Sequence, residues 1–109
     1  MIEQHWVRIS ATVEELPFNS NQLCSVDAEG KRLCLGRHGE QYFAFAATCP
    51  HAGAPFSEGF IDALGNVVCP KHRYKFTMRN GYNCSGEGFQ LKTYPVRISE
   101  EGVFIGLPQ

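Results

Sequence analysis

Cys49-Pro50-His51 and Cys69-Pro70-Lys71-His72, separated by seventeen residues, decide how this chain is read. Each run offers one thiolate and one imidazole, closely spaced and set among turn-forming residues. Proline at 50 and at 70 fixes φ just after each cysteine and removes a backbone donor. Gly53 and Gly59 supply backbone freedom where the first loop must turn. Two cysteines and two histidines arranged this way can hold a metal centre between two loops. Structural zinc takes the same donors. Zinc fingers, however, usually pair Cys with Cys and His with His at short spacing, and both pairs here are mixed.

Outward from these runs, the chain is a series of short β-rich segments punctuated by glycine. His5 to Ser10 alternates as a strand, with Trp6 a candidate core residue. Glu14 to Asn21, carrying Pro17 and two asparagines, reads as a loop. Gln22–Val26 and Arg32–Gly36 flank Asp27-Ala28-Glu29-Gly30, a hairpin turn. Gln41 to Ala47 is aromatic and apolar. Val67-Val68-Cys69 leads into the second run, Arg73 to Met78 follows, and Asn80-Gly81 carries a hairpin signal. Tyr94–Ile98 and Val103–Ile105 close the chain around a turn at Ser99 to Gly102. No helical period is sustained, so the fold class is all-β, a sandwich or small barrel.

At 109 residues the chain suits a single domain. Its 43% hydrophobic and 19% charged content is globular rather than disordered. A formal net charge of -1 gives no bulk attraction to nucleic acid or an anionic membrane. Met1-Ile2-Glu3-Gln4-His5 lacks the basic and apolar regions of a secretory leader, and no apolar run approaches the ~20 residues of a membrane span. Five cysteines then point to metal binding plus spare thiols rather than a disulfide framework. The expected compartment is the cytoplasm.

The order Cys-x-His, gap, Cys-x-x-His resembles the ligand pattern of the Rieske iron–sulfur family, where one iron takes two cysteines and the other two histidines. The resemblance implies one [2Fe-2S] cluster per chain, with Cys49 and Cys69 on one iron and His51 and His72 on the other. It also implies a Rieske-like base, approximately residues 1–47 and 85–109, with a cluster-binding subdomain inserted at approximately 48–84. Thiolates stabilise ferric iron and neutral imidazole donates less, so the electron belongs mainly to the histidine-bound iron. The imidazole edges are expected nearest solvent, as electron entry and exit, and electron uptake can couple to protonation of His51 or His72.

Departures from the family's versions indicate which kind this chain resembles. Respiratory members carry a second cysteine in each loop, joined as a disulfide; the matching positions here are Ala54 and Lys71. Their Ser and Tyr hydroxyls, two and four residues after the last histidine, are replaced by Tyr74 and Phe76. Lost hydrogen bonds to sulfur lower the potential, so the low end of the Rieske range, about -150 mV, is expected. Catalytic oxygenases usually continue the first pair with Arg-Gly; here Ala52-Gly53 follows His51. Only His5 and His38 remain, and neither suits a facial triad. What remains is similar to the soluble ferredoxin that passes electrons from a reductase to an oxygenase. The alternative is the small Rieske subunit of an assimilatory nitrite reductase. Either would be an electron carrier with no chemistry of its own and no small-molecule substrate. Dioxygenase-type ferredoxins commonly cover the cluster with a proline-containing loop, but Cys84-Ser85-Gly86-Glu87-Gly88-Phe89 has no proline, and Phe89 would supply the apolar cover.

Cys24 and Cys34 face each other across the proposed hairpin or, on the safer reading, are reduced core thiols. Cys84 reads as a buried thiol rather than a ligand. Lys71, Arg73, Lys75 and Arg79 give the second loop a basic character, suited equally to docking an acidic partner and to an ordinary solvated face. Glu14-Glu15 and Glu100-Glu101 read as solvent-exposed.

Overall fold

The computed structural model describes residues 4–51 and 53–108. Met1, Ile2 and Glu3, read for a leader, and Ala52, read with Gly53, lie outside the described residues, as does Gln109. Among the described residues ten strands follow in order: β1 (Gln4–Ser10), β2 (Leu23–Ala28), β3 (Lys31–His38), β4 (Gln41–Ala46), β5 (Phe60–Ile61), β6 (Asn66–Val68), β7 (Lys75–Thr77), β8 (Thr93–Tyr94), β9 (Val96–Ser99) and β10 (Gly102–Pro108). They form three antiparallel sheets, ordered β1-β10-β9, β2-β3-β4-β8 and β5-β6-β7. The fold is all-β, as the missing helical period predicts.

The middle sheet is covered on both faces, which explains why β3 reads as a run rather than an alternation: Leu33, Cys34, Leu35 and Gly36 are all buried. Leu33, Leu35 and Ala44 enter one core with Val103, Ile105 and Leu107 of β10. Cys34 and Phe45 face the other way, into a second core with Phe56, Val67 and Phe76. Edge-to-face contacts at 5.6 Å (Phe45–Phe56) and 5.8 Å (Phe56–Phe76) build an aromatic floor in that second core. Each such pair is worth about 1 kcal/mol beyond simple burial.

Pro95 makes the corner between sheets. Before it, β8 pairs with β4; after it, β9 pairs with β10. The ring supplies no N–H to either ladder, while its carbonyl accepts from Gly106 N–H at 2.9 Å.

Several sequence readings are corrected. The first hairpin turn is only Glu29-Gly30, at φ 52° and 85°, because Asp27 and Ala28 stay in β2. These angles fit the twist-matched primed turns of hairpins. Cys24 lies opposite Leu35, and Cys34 opposite Ser25. The two thiols therefore point to opposite faces and into different cores, and cannot face each other. Both are free, and burial pushes them up to about 11 and about 12. Trp6 is only partly buried, its ring stacked under the Arg97 guanidinium at 4.0 Å. The Asn80-Gly81 turn forms, with Gly81 at φ 78°, but the returning chain makes only single bridges at Asn83 and Tyr82 rather than a strand.

Candidate metal centre

Two loops of matching construction meet over the aromatic floor. In the first, Cys49 N–H donates to Ala54 C=O at 2.9 Å; in the second, Cys69 N–H donates to Tyr74 C=O at 2.9 Å. Each loop thus closes on the carbonyl five residues after its cysteine. Gly53, at φ 70°, takes the left-handed turn of the first loop. The second loop uses no glycine: His72 and Arg73 sit at φ 72° and 58°. Gly59 serves differently from the expected backbone freedom. Its φ is -91°, and a Cβ there would lie 2.1 Å from Val68 C=O, so the residue is small because the first loop crosses β6 closely.

The four singled-out side chains are brought together. Cys49 and Cys69 are buried in the floor, 1% and 0% exposed, whereas His51 is half-buried and His72 exposed. Burial, helped by the neighbouring Cys49, raises the Cys69 thiol above its ordinary value, and its Sγ lies 3.3 Å from Lys71 C=O. His51 Nδ1 is 4.0 Å from Cys49 Sγ, and His51 Nε2 is 3.2 Å from His72 Nδ1. The donors therefore fall into a thiol pair below and an imidazole pair above. Among the described residues no three His, Cys, Asp or Glu side chains converge on a point suited to a single ion. A thiol pair and an imidazole pair suit a two-iron centre with one pair per iron, and the same four donors also suit one tetrahedral zinc.

Aromatic rings surround the first imidazole. Tyr74 stacks on His51 at 4.0 Å, and Phe89 lies 5.6 Å from His51 and 6.0 Å from Tyr74. Phe76, the one of these two positions that carries no hydroxyl, is fully buried against Phe56. Lys71, Arg73, Lys75 and Arg79 are all exposed. Cys84 is exposed too, contrary to the buried thiol expected; the single-bridge segment after Gly81 leaves no sheet face to cover it. His5 pairs with Glu29 at 2.8 Å on the far hairpin, and His38 contacts Ala63 C=O at 3.2 Å; neither joins the site.

Sequence reasoning missed Asn83. Only 4% exposed, it bonds to Lys75 C=O, Glu87 and the backbone of the glycine-containing loop. The one available signal was a lone asparagine just before a loop with two glycines and no proline. Glu87 was missed as well. Its carboxyl is held below the usual range by the Ser85 hydroxyl first, then by the Asn83 amide, with His51 nearby.

Comparisons with known proteins agree with this geometry. Residues 5–95 match the family described as the Rieske [2Fe-2S] domain. The 3-phenylpropionate/cinnamic acid dioxygenase ferredoxin subunit of Photorhabdus laumondii is 32% identical over 95 residues, covering 86% of this chain and 88% of that one. A chain in the complex of reduced oxygenase and oxidised ferredoxin of carbazole 1,9a-dioxygenase superposes with a TM-score of 0.77 at 26% identity, over 93% of this chain and 92% of that one. An NADH-dependent nitrite reductase small subunit from Mycobacterium tuberculosis shares the fold, with a TM-score of 0.80 at 22% identity over 95% and 96% of the two chains. The family decides between the two centres that four such donors allow, in favour of a [2Fe-2S] cluster over zinc. By its paired donors, its all-β frame and its match from residue 5 to residue 95, the chain belongs to the Rieske [2Fe-2S] family.

Proposed function

We propose that this protein is a one-electron carrier that passes electrons from a reductase to an oxygenase, and that Cys49, Cys69, His51 and His72 hold its cluster. The observation that carries the reading is the gradient across the donor set: buried thiols, a half-buried His51 and an exposed His72. When bound, the cluster supplies a reversible one-electron couple. The chain's own residues do the rest. The buried thiols keep water from the sulfur side, and His72 brings the imidazole side to the surface, where a partner can approach.

Similarity over most of both chains to a dioxygenase ferredoxin subunit supports the oxygenase as acceptor. The nitrite reductase reading rests on fold likeness alone and stands second. Approximately residues 48–84 form the cluster-binding subdomain of this reading, on a base of approximately 1–47 and 85–109; Cys49, Phe56, Val67, Cys69, Phe76 and Met78 of that segment supply most of the second core, which it shares with the base strands. Five free cysteines suit a reducing cytoplasm. Among the described residues no helix is long and apolar enough to cross a membrane. A potential near the low end, about -150 mV, follows from Phe76, which offers no donor to sulfur.

The test is electron paramagnetic resonance of protein purified anaerobically and reduced with dithionite, with iron and zinc quantified. A rhombic signal averaging near g ~1.9, with two irons per chain, is expected. A silent spectrum with one zinc per chain would sink the reading.

A further inference from the structure

The segment from Cys84 to Phe89 ought to be loose. Gly86 and Gly88 sit at φ 89° and 87°, nothing lies within 4 Å of where their Cβ atoms would be, and no proline falls between Pro70 and Pro95. Yet Phe89 is held at a defined place, 5.6 Å from His51. Ser85 ties the start of the segment to β7, its hydroxyl accepting from Lys75 N–H at 2.9 Å, but the part that bears Phe89 is held by one side chain. Asn83 Nδ2 donates to Lys75 C=O at 3.0 Å, anchoring it to β7, and to Glu87 Oε1 at 2.9 Å. Its Oδ1 accepts from the backbone N–H of Glu87 at 2.9 Å and of Phe89 at 3.2 Å. A buried amide with both ends engaged is costly to displace, because each freed group would lose its partner away from water.

We propose that Asn83 is a positioning residue for the redox site: it clamps the glycine-containing loop to β7, which keeps the Phe89 ring beside His51. The proposal rests on His51 being a cluster ligand. Its electrostatic consequence has a definite sign. Two ferric ions, two sulfides and two thiolates with neutral imidazoles sum to zero, and one electron makes the centre -1. An apolar ring against the histidine replaces polarisable solvent on that side, which disfavours the more negative reduced state. Releasing the loop therefore raises the potential.

The experiment is a redox titration of cluster-loaded wild type, Asn83→Ala, Phe89→Ala and the double variant, followed by the rhombic signal. Each single variant should keep its iron and shift the potential upward, and the double variant should shift no further than Asn83→Ala, since one residue acts partly through the other. An unmoved potential in an iron-replete Asn83→Ala protein would overturn the proposal, as would shifts that add in full. If Asn83→Ala does not retain iron, amide hydrogen exchange of the wild type decides. Slow exchange at Glu87 and Phe89 supports the clamp, and exchange at the rate of an unstructured loop refutes it. Absence of any Rieske signal in the wild type would instead fail the proposed function, a separate result.

Discussion

The two ligand loops close the same backbone hydrogen bond, from cysteine N–H to the carbonyl five residues on, but they reach it by different means. The first turns at Gly53 and keeps its imidazole half-buried, stacked on Tyr74. The second turns through His72 and Arg73, two left-handed residues with side chains, and leaves its imidazole in solvent. A left-handed residue with a Cβ costs roughly 1 kcal/mol more than glycine. In return the second loop presents an imidazole and a guanidinium at the surface from adjacent positions. The difference teaches a division of labour: the first loop is built for shelter, the second for presentation.

The most severe way to break the comparison is to remove a thiolate from either side. Cys49→Ser and Cys69→Ser should both abolish the native Rieske spectrum, and His72→Cys should replace it with another. An unchanged spectrum in any of the three would mean that the ligands are misassigned. Next in size is exchanging the turn residues. Gly53→Ala should cost about 1 kcal/mol, read as a loss of some 4 °C or more in the thermal midpoint. Arg73→Gly should leave the midpoint unchanged or higher; a comparable loss there would show that the left-handed turn carries no strain.

Smaller still is the effect of unstacking the sheltered imidazole. Tyr74→Leu should weaken cluster retention by about 1 kcal/mol, measured as faster bleaching in chelator. A Tyr74→Phe variant should behave as wild type, since the stacking needs no hydroxyl.

The smallest effect concerns the support under the second loop. Asp62 sits in the turn joining β5 to β6. Burial works to raise its carboxyl, but N–H groups of Asn66 and Leu64, the Asn66 side chain and Lys75 outweigh it, and the net shift is downward from 3.8. A carboxyl depressed in the folded state contributes stability above its unfolded value, and that contribution is lost as pH falls through the lowered one. The wild-type midpoint should therefore drop on acidification below about pH 4, and Asp62→Asn should flatten that limb while lowering the midpoint at neutral pH. Parallel acid limbs in the two proteins would remove Asp62 from the account.

That Cys49, His51, Cys69 and His72 would meet was legible in the sequence, because residue identity and spacing mark such a cluster directly. Turns at Glu29-Gly30 and Asn80-Gly81 were legible for the same reason: positive φ selects particular residues. Register was not legible. One residue's offset decides whether Cys24 and Cys34 share a face, and nothing local announces it. The left-handed His72 and Arg73 were also hidden, since their conformation is imposed by the loop closure at Tyr74 rather than chosen by the residues. Trp6 looked like core from its size; its partner, Arg97, lies far along the chain and offers a cation face instead of an apolar one. Asn83 belongs with these, as its anchor on Lys75 C=O exists only when the chain returns past β7.

Cys84 gives the molecule a natural handle. It is the one exposed cysteine of five, and its N–H is bonded to Lys75 C=O at 3.0 Å, one residue before the loop that bears Phe89. A maleimide-linked dye would attach there with little competition from the buried core thiols. Fixed to gold through the same sulfur, the protein would form a film in which every molecule turns the glycine-containing loop toward the electrode.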